Sequence, residues 1–424
     1  MPPFSFVHAA DLHLDSPFVG VTARSPIVAE KLRAATFEAF DNIIDLCISR
    51  RVDFLLVAGD VFDGADRSLR AQLRFRDGLA RLAEKGVQSF VVHGNHDPLE
   101  GWTSAISWPA GVHIFGSKVT TVHALRSGEP LAAITGVSYP KQREIRNLAQ
   151  QVDQKARQQA ANGPRFCIGL LHANVGNQPG HEPYAPCEVA ELTDSVVNYW
   201  ALGHVHTRQI ILREPHVSYP GNPQGRNIRE CGARGCLVVE VNESRQISSE
   251  FVPVDAVRWE SRDVDVSSMS TLDVLDEGLA DVIERLREQS EQRALVCQLR
   301  LVGRTALYAD LARAGQLTDL LERVRERHLA ESPFAWVERI EVACLPEMDL
   351  VQRRKSPDLA GEVLRIAEEI RSGQTTEPLT EVLLPLYGNT RAKKALNDLD
   401  EEGLRRLLAE AELLCVDGLE SFSS

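Results

Sequence analysis

Short apolar runs alternate with amphipathic stretches through the first 250 residues of the chain. Two of the amphipathic stretches, 28–49 and 66–86, have helical periodicity. Ser25 and Pro26 supply a start signal for the first, and Gly86 supplies a stop signal for the second. The apolar runs are rich in β-branched and aromatic residues, as buried strands are: FSFVHAAD (4–11), VDFLLVAGD (52–60), QSFVVHGN (88–95), LAAITGVSY (131–139), FCIGLLHAN (166–174) and YWALGHVH (199–206). This alternation predicts α/β layers around a largely parallel core.

The pattern changes near residue 255. A helical stretch at 272–288 comes first, and then two alternating apolar runs, 294–303 and 334–346, bracket another helical segment. That arrangement predicts a small α+β domain. Beyond residue 350 the pattern is helical only. We therefore predict three domains, at residues 1–255, 256–350 and 351–424.

The composition narrows the class of protein. The chain has 424 residues, of which 43% are hydrophobic and 25% charged, as in ordinary globular proteins. We expect a cytoplasmic protein without membrane contact, because no apolar run approaches the roughly 18 residues of a membrane helix and the first residues lack the pattern of a signal peptide. The 8 cysteines are scattered without a CxxC motif, which predicts free thiols in a reducing compartment.

The net charge of −13 argues against non-specific binding of nucleic acid through a basic surface. It does not exclude a nucleic-acid substrate. Bound divalent cations are often the largest local charges in a site and hold phosphate where the average charge of the protein would repel it.

Polar residues follow the carboxyl ends of five of the predicted strands. In open α/β sheets, ligands bind in the crevice beyond these ends. We therefore expect five motifs to converge there: Asp11-Leu12-His13, Gly59-Asp60-Val61-Phe62-Asp63, Gly94-Asn95-His96-Asp97, His172 in LLHAN, and Gly203-His204-Val205-His206.

The spacing of these motifs suits metal ions. Residues two apart in extended backbone project to the same side, so Asp11 and His13 can reach one ion together, as can His204 and His206. Asp60 offers a carboxylate that can bridge two ions. Nitrogen and oxygen ligands without thiolate suit manganese, iron or zinc, and two ions about 4 Å apart form a clamp for displacement at phosphorus. The series predicts a two-metal phosphoesterase, although each motif alone also fits a strand end with solvated side chains.

The motif order DxH, GDxxD, GNHD, H, GHxH resembles the signature of the calcineurin-like metallophosphoesterases. HAADLHLDSPF, GDVFDGADRSLRAQ, LLHANVG, YAPC, YWALGHVHTRQ and YPGNPQGR resemble the YhaO branch of the bacterial DNA repair exonucleases, relatives of the SbcD nuclease subunit. The similarity covers about residues 4–255 well, and the remainder is similar only in layout. The resemblance implies a four-layer α/β/β/α sandwich, then a small α+β capping domain and a helical C-terminal tail.

The resemblance also implies roles for the motif residues. His96 would donate a proton to the leaving oxygen or stabilise its charge, oriented by Asp97. Some nuclease relatives carry histidine at the position of Asp63, which here either orients His96 or a ligand, or caps the following turn. The first ion would be held by Asp11, His13, Asp60 and His206. The second ion would be held by Asp60, Asn95, His172 and His204.

Arg226 and Arg229 follow the YPGNPQG segment. Arginine binds phosphate oxygens bidentately, so we expect these two residues on the approach to the site. The alternative is that both are ordinary solvated arginines.

The function that the sequence favours is that of a manganese-dependent DNA exonuclease, with iron or zinc as alternative metals. A small-molecule phosphodiesterase or a phosphoprotein phosphatase would use the same two-metal site. The alternative that is not an enzyme is a non-catalytic interaction scaffold on the same fold. The resemblance implies a DNA substrate and docking of the three helices expected at 356–412 onto an SMC-like ATPase of the SbcC/YhaN type, where simple packing is the alternative. The helix at 66–86 could also contribute to a homodimer.

Overall fold

The structure is a computed structural model that describes residues 1–16, 25–64, 68–100, 106–160, 166–178, 182–313, 315–329, 331–373, 382–383, 385 and 401–421. The strands are β1 (Phe4–Ala9), β2 (Phe54–Ala58), β3 (Gln88–Val92), β4 (Val112–Ile114), β5 (Thr120–Arg126), β6 (Glu129–Gly136), β7 (Cys167–His172), β8 (Tyr199–Gly203), β9 (Gln209–Arg213), β10 (His216–Tyr219), β11 (Gly235–Val241), β12 (Ile247–Pro253), β13 (Val257–Asp265), β14 (Ala294–Val302), β15 (Arg304–Thr305), β16 (Ala335–Val342) and β17 (Leu345–Pro346).

The helices are α1 (Pro26–Arg50), α2 (Leu69–Glu84), α3 (Leu148–Ala160), α4 (Val189–Thr193), α5 (Leu272–Gln289), α6 (Tyr308–Leu311), α7 (Gln316–Leu329), α8 (Leu350–Arg354), α9 (Leu359–Ser372) and α10 (Glu401–Ser421). None of them is long and apolar enough to cross a membrane. The chain forms two compact units. The first contains Met1–Asp265, Thr271–Val302 and Leu311–Ala343, and the second contains Val266–Ser270, Gly303–Asp310 and Cys344–Ser424.

Two six-stranded sheets form the centre of the first unit. Their strand orders are β12-β11-β1-β2-β3-β4 and β5-β6-β7-β8-β10-β9. Neighbours from β1 to β4 are parallel, as are neighbours in the series β6-β7-β8-β10. The antiparallel pairs lie towards the edges, where β11 joins β1 and β12, β5 joins β6, and β9 joins β10.

The two sheets pack face to face through a layer of aromatic side chains. Phe6 of β1 stacks on Phe54 of β2 with ring centroids 5.0 Å apart, and it meets Tyr199 of β8 edge-on at 5.1 Å. All three side chains are fully buried. Burying each large apolar side chain contributes about 1.5–3 kcal/mol, so this layer fixes one sheet against the other.

Helices cover the outer faces of both sheets. Phe40 of α1 and Leu79 of α2 share a buried cluster with Leu55 of β2. Val152 of α3 and Leu192 of α4 share another with strands of the second sheet. The resulting order is helix, sheet, sheet, helix. The α/β fold that the sequence pattern predicts is confirmed, as are the two sheets that the family resemblance implies.

A third sheet completes the first unit. Its strands β13, β14 and β16 are all parallel, in that order, and α5 and α7 lie between them in the chain. Trp259 and Trp336 from this sheet share a buried cluster with Leu32 of α1. The domain boundaries expected at residues 255 and 350 stay predictions.

Helices dominate the second unit, as predicted for the C-terminal region. Leu364 of α9 and Val416 of α10 are fully buried in one small apolar cluster. The short strands β15 and β17 pair in parallel. The middle one of the three helices expected in the tail, at 380–388, lies mostly outside the described residues.

Candidate metal centre

The carboxyl ends of strands from both central sheets meet at one place. Asp11, Asp60 and Asn95 follow β1, β2 and β3 of the first sheet, whereas His172 and His204 come from β7 and β8 of the second. Nε2 of His172 lies 2.9 Å from Oδ1 of Asn95 and 3.4 Å from Oδ2 of Asp60. The backbone N–H of His204 donates to Oδ1 of Asp11 at 3.0 Å. The sequence predicted one crevice, and the structure builds it from the edges of two sheets.

The backbone at this junction adopts a conformation that side chains other than glycine rarely take. Asp11, His13, Asp60 and His204 all have positive φ, at 53°, 43°, 49° and 106°. Such residues cost of the order of 1–3 kcal/mol each and cluster at functional sites. Backbone hydrogen bonds help to stabilise this strained conformation. Asp11 N donates to Gly59 O, and His13 N donates to Asp60 O, both at 3.0 Å.

Two glycines of the motifs allow the close approach of the ligands. A Cβ on Gly94 would overlap Oδ1 of Asp60 and lie 2.7 Å from Nε2 of His172. A Cβ on Gly203 would overlap the carbonyl oxygen of Ala58. Any larger residue at either position would push the two sheets or their ligands apart.

One group of ligand atoms comes from Asp11, His13 and His206, which lie within 4.8 Å of one another. Nε2 of His13 faces Nε2 of His206 at 3.2 Å. The Nδ1–H of His206 donates to Oε1 of Glu230 at 2.8 Å, so its Nε2 carries a lone pair. His13 is fully buried and its Nδ1 makes no hydrogen bond to any described residue. A cation between these rings would use both Nε2 atoms.

A second group comes from Asp11, Asp60 and His172, with Asn95 and His204 beside it. The Nδ1–H of His172 donates to a backbone carbonyl, that of Ala58, at 2.9 Å. Nε2–H of His204 donates likewise to the carbonyl oxygen of residue 182, at 2.8 Å. In their neutral forms, Nε2 of His172 and Nδ1 of His204 would therefore direct lone pairs at Oδ1 of Asn95, 2.9 and 3.2 Å away. Facing lone pairs repel each other unless one ring carries a proton or a bound cation coordinates them.

The charges of the buried side chains in this cluster also favour a bound cation. Burial alone lowers the pKa of His172, but the Asp60 and Asp11 carboxylates outweigh it and raise that pKa to about 9. Burial opposes ionisation of Asp60, yet the charge and hydrogen bond of His172 lower its pKa. Burial raises the pKa of Asp11. The cluster thus retains a proton that a divalent cation would displace.

His96 lies at the exposed edge of the cluster, with 40% of its side chain accessible. Its Nδ1 is 2.8 Å from Oδ1 of Asp63, and this hydrogen bond raises the pKa of His96. The other oxygen of Asp63 accepts from Ser16 Oγ at 2.6 Å. His13, Asp63 and His96 also lie close enough to form a third group of metal-binding type. Of the alternatives open for Asp63, the structure favours orientation of His96.

The expected pairing of Asp97 with His96 is wrong. Asp97 is fully buried and accepts from the backbone N–H groups of Val61 at 2.8 Å and Gly94 at 2.7 Å. It also pairs with Nδ1 of His93 at 2.8 Å. Val61 follows Asp60 in the chain and Gly94 precedes Asn95. By accepting from both backbone N–H groups, Asp97 connects the two loops that carry these candidate ligands.

The two arginines expected on the approach occupy different environments. Arg226 borders the cluster with 15% of its side chain accessible, and its guanidinium contacts Asp63 at 3.3 Å and Glu230 at 3.6 Å. Arg229 is exposed, and within the described residues its side chain makes no contact with the cluster. The structure brings only the first of the pair to the site.

Sequence reasoning missed Glu230. This carboxylate is 8% exposed and bonds to His206. Burial by itself raises the pKa of Glu230, but the hydrogen bond of His206 and the charge of Arg226 outweigh it and lower that pKa. No spacing or strand end marks the residue, so its role becomes visible only in three dimensions.

Comparison with known proteins identifies the class. The model of the calcineurin-like phosphoesterase family matches residues 4–208, and that of the middle domain of metallophosphoesterase YhaO matches residues 259–345. The metallophosphoesterase YhaO of Bacillus subtilis is 38% identical over 340 residues, which are 80% of this chain and 81% of that protein. The chain belongs to the calcineurin-like metallophosphoesterase family, and the resemblance seen in the motifs is confirmed.

More distant relatives include nucleases. The SbcD component of the nuclease SbcCD of Bacillus subtilis is 23% identical over 338 residues, covering 71% of this chain and 80% of that protein. The DNA double-strand break repair protein Mre11 of Methanococcus maripaludis is 25% identical over 276 residues, covering 63% and 66%. The chain is thus a metallophosphoesterase, a hydrolase with a calcineurin-like dimetal site, that has nucleases among its relatives at low identity.

Proposed function

We propose that this protein is a metal-dependent phosphodiesterase that cleaves DNA, as an exonuclease that uses manganese. One observation carries the proposal. Two groups of lone-pair donors converge from the ends of two sheets, beside a half-exposed histidine that a carboxylate orients. That arrangement suits hydrolysis of a phosphate ester better than binding alone.

The residues that would hold the two cations are those at the strand ends. Bound there, the ions would supply Lewis-acid charge that activates a water nucleophile and stabilises the developing charge on phosphate. Nitrogen and oxygen donors without thiolate suit manganese, with iron or zinc as alternatives. One ion would be held by Asp11, His13, Asp60 and His206. The other would be held by Asp60, Asn95, His172 and His204.

His96 would act on the leaving group. Asp63 engages its Nδ1, which leaves Nε2 as the ring nitrogen for the substrate. Because the hydrogen bond of Asp63 raises the pKa of His96, the ring holds its proton more firmly near neutral pH. The protonated ring can then donate to the departing oxygen, as general acids do. Asp97 would contribute indirectly, through the loops that it braces.

The choice of DNA as substrate rests on the relatives. Two of them are named as part of a nuclease and as a DNA repair protein, and the ligand set itself is equally compatible with a small phosphodiester or a phosphoprotein. By analogy with the two-component nuclease SbcCD, we propose docking onto an SMC-like ATPase of the SbcC/YhaN type. A homodimer that uses α2 is a further proposal.

The test is a cleavage assay on labelled single- and double-stranded DNA with added manganese. We expect wild-type cleavage that chelation abolishes, and His96→Asn to be slower by about 10²–10⁴-fold, the usual contribution of a general acid. His123→Asn is the matched control, because His123 is exposed on β5, outside the candidate site, and should keep wild-type activity.

Substrate class is tested in the same series. The DNA proposal predicts turnover of bis-nitrophenyl phosphate, a diester, above that of the mono-nitrophenyl ester. A protein that hydrolyses monoesters or phosphopeptides and leaves DNA intact would contradict the proposal and support a phosphatase.

A further inference from the structure

A buried carboxylate lies behind the candidate ligand His206, outside all five strand-end motifs. Oε1 of Glu230 is 2.8 Å from Nδ1 of His206. Its Oε2 accepts from the backbone N–H of Arg226 at 2.8 Å and from Nδ2 of Asn222 at 3.0 Å. With three partners and 8% exposure, Glu230 is held in one orientation, and so is the ring that it contacts.

The guanidinium of Arg226 lies between two carboxylates. Its Nη1 is 3.3 Å from Oδ2 of Asp63, and its Nη2 is 3.6 Å from Oε1 of Glu230. The far oxygen of Asp63 bonds to His96. One positive charge therefore joins the carboxylate that orients His206 to the carboxylate that orients His96.

We propose that Glu230 and Arg226 form a positioning clamp. Glu230 keeps the proton of His206 on Nδ1, so that Nε2 is always the atom presented to a cation. Arg226 lies between Glu230 and Asp63 and fixes the position of both carboxylates, instead of binding substrate phosphate. The inference rests on the proposed function only in that His206 is taken as a metal ligand.

The geometry separates this role from the phosphate-binding role expected from sequence. Arg226 is only 15% accessible, and its Nη1 and Nη2 lie beside two carboxylates, Ser16 and Nδ1 of His206, whereas its buried Nε has no hydrogen-bond partner among the described residues. The two terminal nitrogens are therefore directed at protein groups and not at open space. Carboxylates that accept from the second nitrogen of a metal-ligating histidine fix its tautomer and raise its basicity, and their loss commonly costs about 10–100-fold in metal affinity. Removing an arginine that only binds phosphate would take a positive charge away from the site, so it would leave the affinity for a cation unchanged or raise it.

The experiment is titration of the full-length protein with manganese chloride by calorimetry, with no DNA present. We expect Glu230→Ala to weaken one of the two manganese sites by about 10–100-fold. Glu230→Gln should recover part of the loss, because its amide oxygen can still accept from His206. Arg226→Met should weaken manganese binding as well, and Arg226→Lys less so. Glu240→Ala, which removes an exposed carboxylate on β11, is the matched control and should bind like wild type.

Thermal unfolding in the absence of metal checks that each variant folds, and the near-isosteric Glu230→Gln serves where Glu230→Ala does not. Wild-type manganese affinity in folded Glu230→Gln and Glu230→Ala would overturn the clamp. Unchanged or tighter manganese binding by Arg226→Met, together with a raised KM for DNA, would contradict the positioning role of Arg226 and support phosphate binding. If the wild type binds two manganese ions yet leaves DNA intact, the DNA proposal fails while the clamp stands.

Discussion

At the scale of single residues, the candidate centre depends on the absence of a side chain as much as on the presence of ligands. Gly94 brings its loop so close to Asp60 and His172 that no Cβ fits between them. The positions of the Asp60 and His172 side chains are therefore set in part by direct contact with the backbone of Gly94.

Gly94→Ala tests that dependence. The added methyl must displace Asp60 or His172, so we expect manganese affinity to fall at least about tenfold and the free energy of unfolding to fall by about 1–3 kcal/mol, as for other overpacked sites. Calorimetry and urea unfolding measure the two effects. Gly116→Ala is the control, because no atom of the described residues lies within 4 Å of the place that its methyl group would take. Equal manganese affinity in both variants would contradict the close-contact account.

Most residues of the candidate centre could be predicted from sequence, because each stands at a fixed offset from the end of an apolar run. The residues that contact the candidate ligands and hold them in place could not be predicted. Asp63 and Asp97 both lie within reach of the GNHD loop, and the choice between them depends on which one faces the backbone N–H groups of Val61 and Gly94. Glu230 comes from the loop between β10 and β11, and its contact with His206 spans 24 residues of chain.

At the scale of elements, the central strands were predictable because they are buried on both faces and form continuous apolar runs. Their division between two sheets was not predictable from the apolar runs themselves, and only the family resemblance implied it. A strand such as Phe54–Ala58 is fully buried. Its sequence is equally apolar whether a helix or a second sheet packs on a given face. The antiparallel edge strands β5, β9 and β12 alternate or are half-exposed, and their apolar signal is correspondingly weaker.

Strand β1 carries a histidine, His8, into the layer between the sheets. Its Nδ1 lies 3.0 Å from the hydroxyl of Tyr199 and its Nε2 lies 3.2 Å from the carbonyl oxygen of Leu202. Burial lowers the pKa of His8 to about 3, with the backbone hydrogen bond acting in the opposite direction. The ring therefore stays neutral in the folded protein at any moderately acidic pH.

His8→Gln should make the free energy of unfolding depend less on pH below about pH 6.5. Below about pH 6.5 the unfolded chain protonates His8 and the folded protein does not, so the free energy of unfolding falls as pH falls towards 3, by up to about 1.4 kcal/mol per pH unit. The variant lacks this contribution. Urea unfolding between about pH 6.5 and 4.5 gives the slope, with His123→Gln as the exposed-histidine control. A variant slope equal to that of wild type would exclude His8 as a source of acid sensitivity.

At the scale of the whole molecule, the candidate metal centre and the C-terminal helices belong to different compact units. The metal centre belongs to the first compact unit, and α9 and α10 bury Leu364 and Val416 in a cluster of their own. Exposed apolar residues remain on these helices, including Ile366 at 48% and Leu414 at 72% accessible. Such a surface is compatible with a helical partner.

Truncation after residue 350 separates the two roles that we propose. We expect the shortened protein to keep manganese-dependent hydrolysis of bis-nitrophenyl phosphate and to lose co-purification with an SMC-like ATPase co-expressed from the same source. Retained co-purification would place the docking surface elsewhere. Lost hydrolysis in a folded truncation would show that the helices support the centre itself.

The origin of the centre in two sheets has a consequence for synthesis on the ribosome. Asp11 emerges first, Asp60 and Asn95 follow with β2 and β3, and His204 and His206 come only after β8. A nascent chain that has completed β1, β2 and β3 therefore holds Asp11, Asp60 and Asn95 without His172, His204 and His206. With the ligands that we propose, each of the two ions would gain its full set only after β8 has been made and the two sheets have packed together.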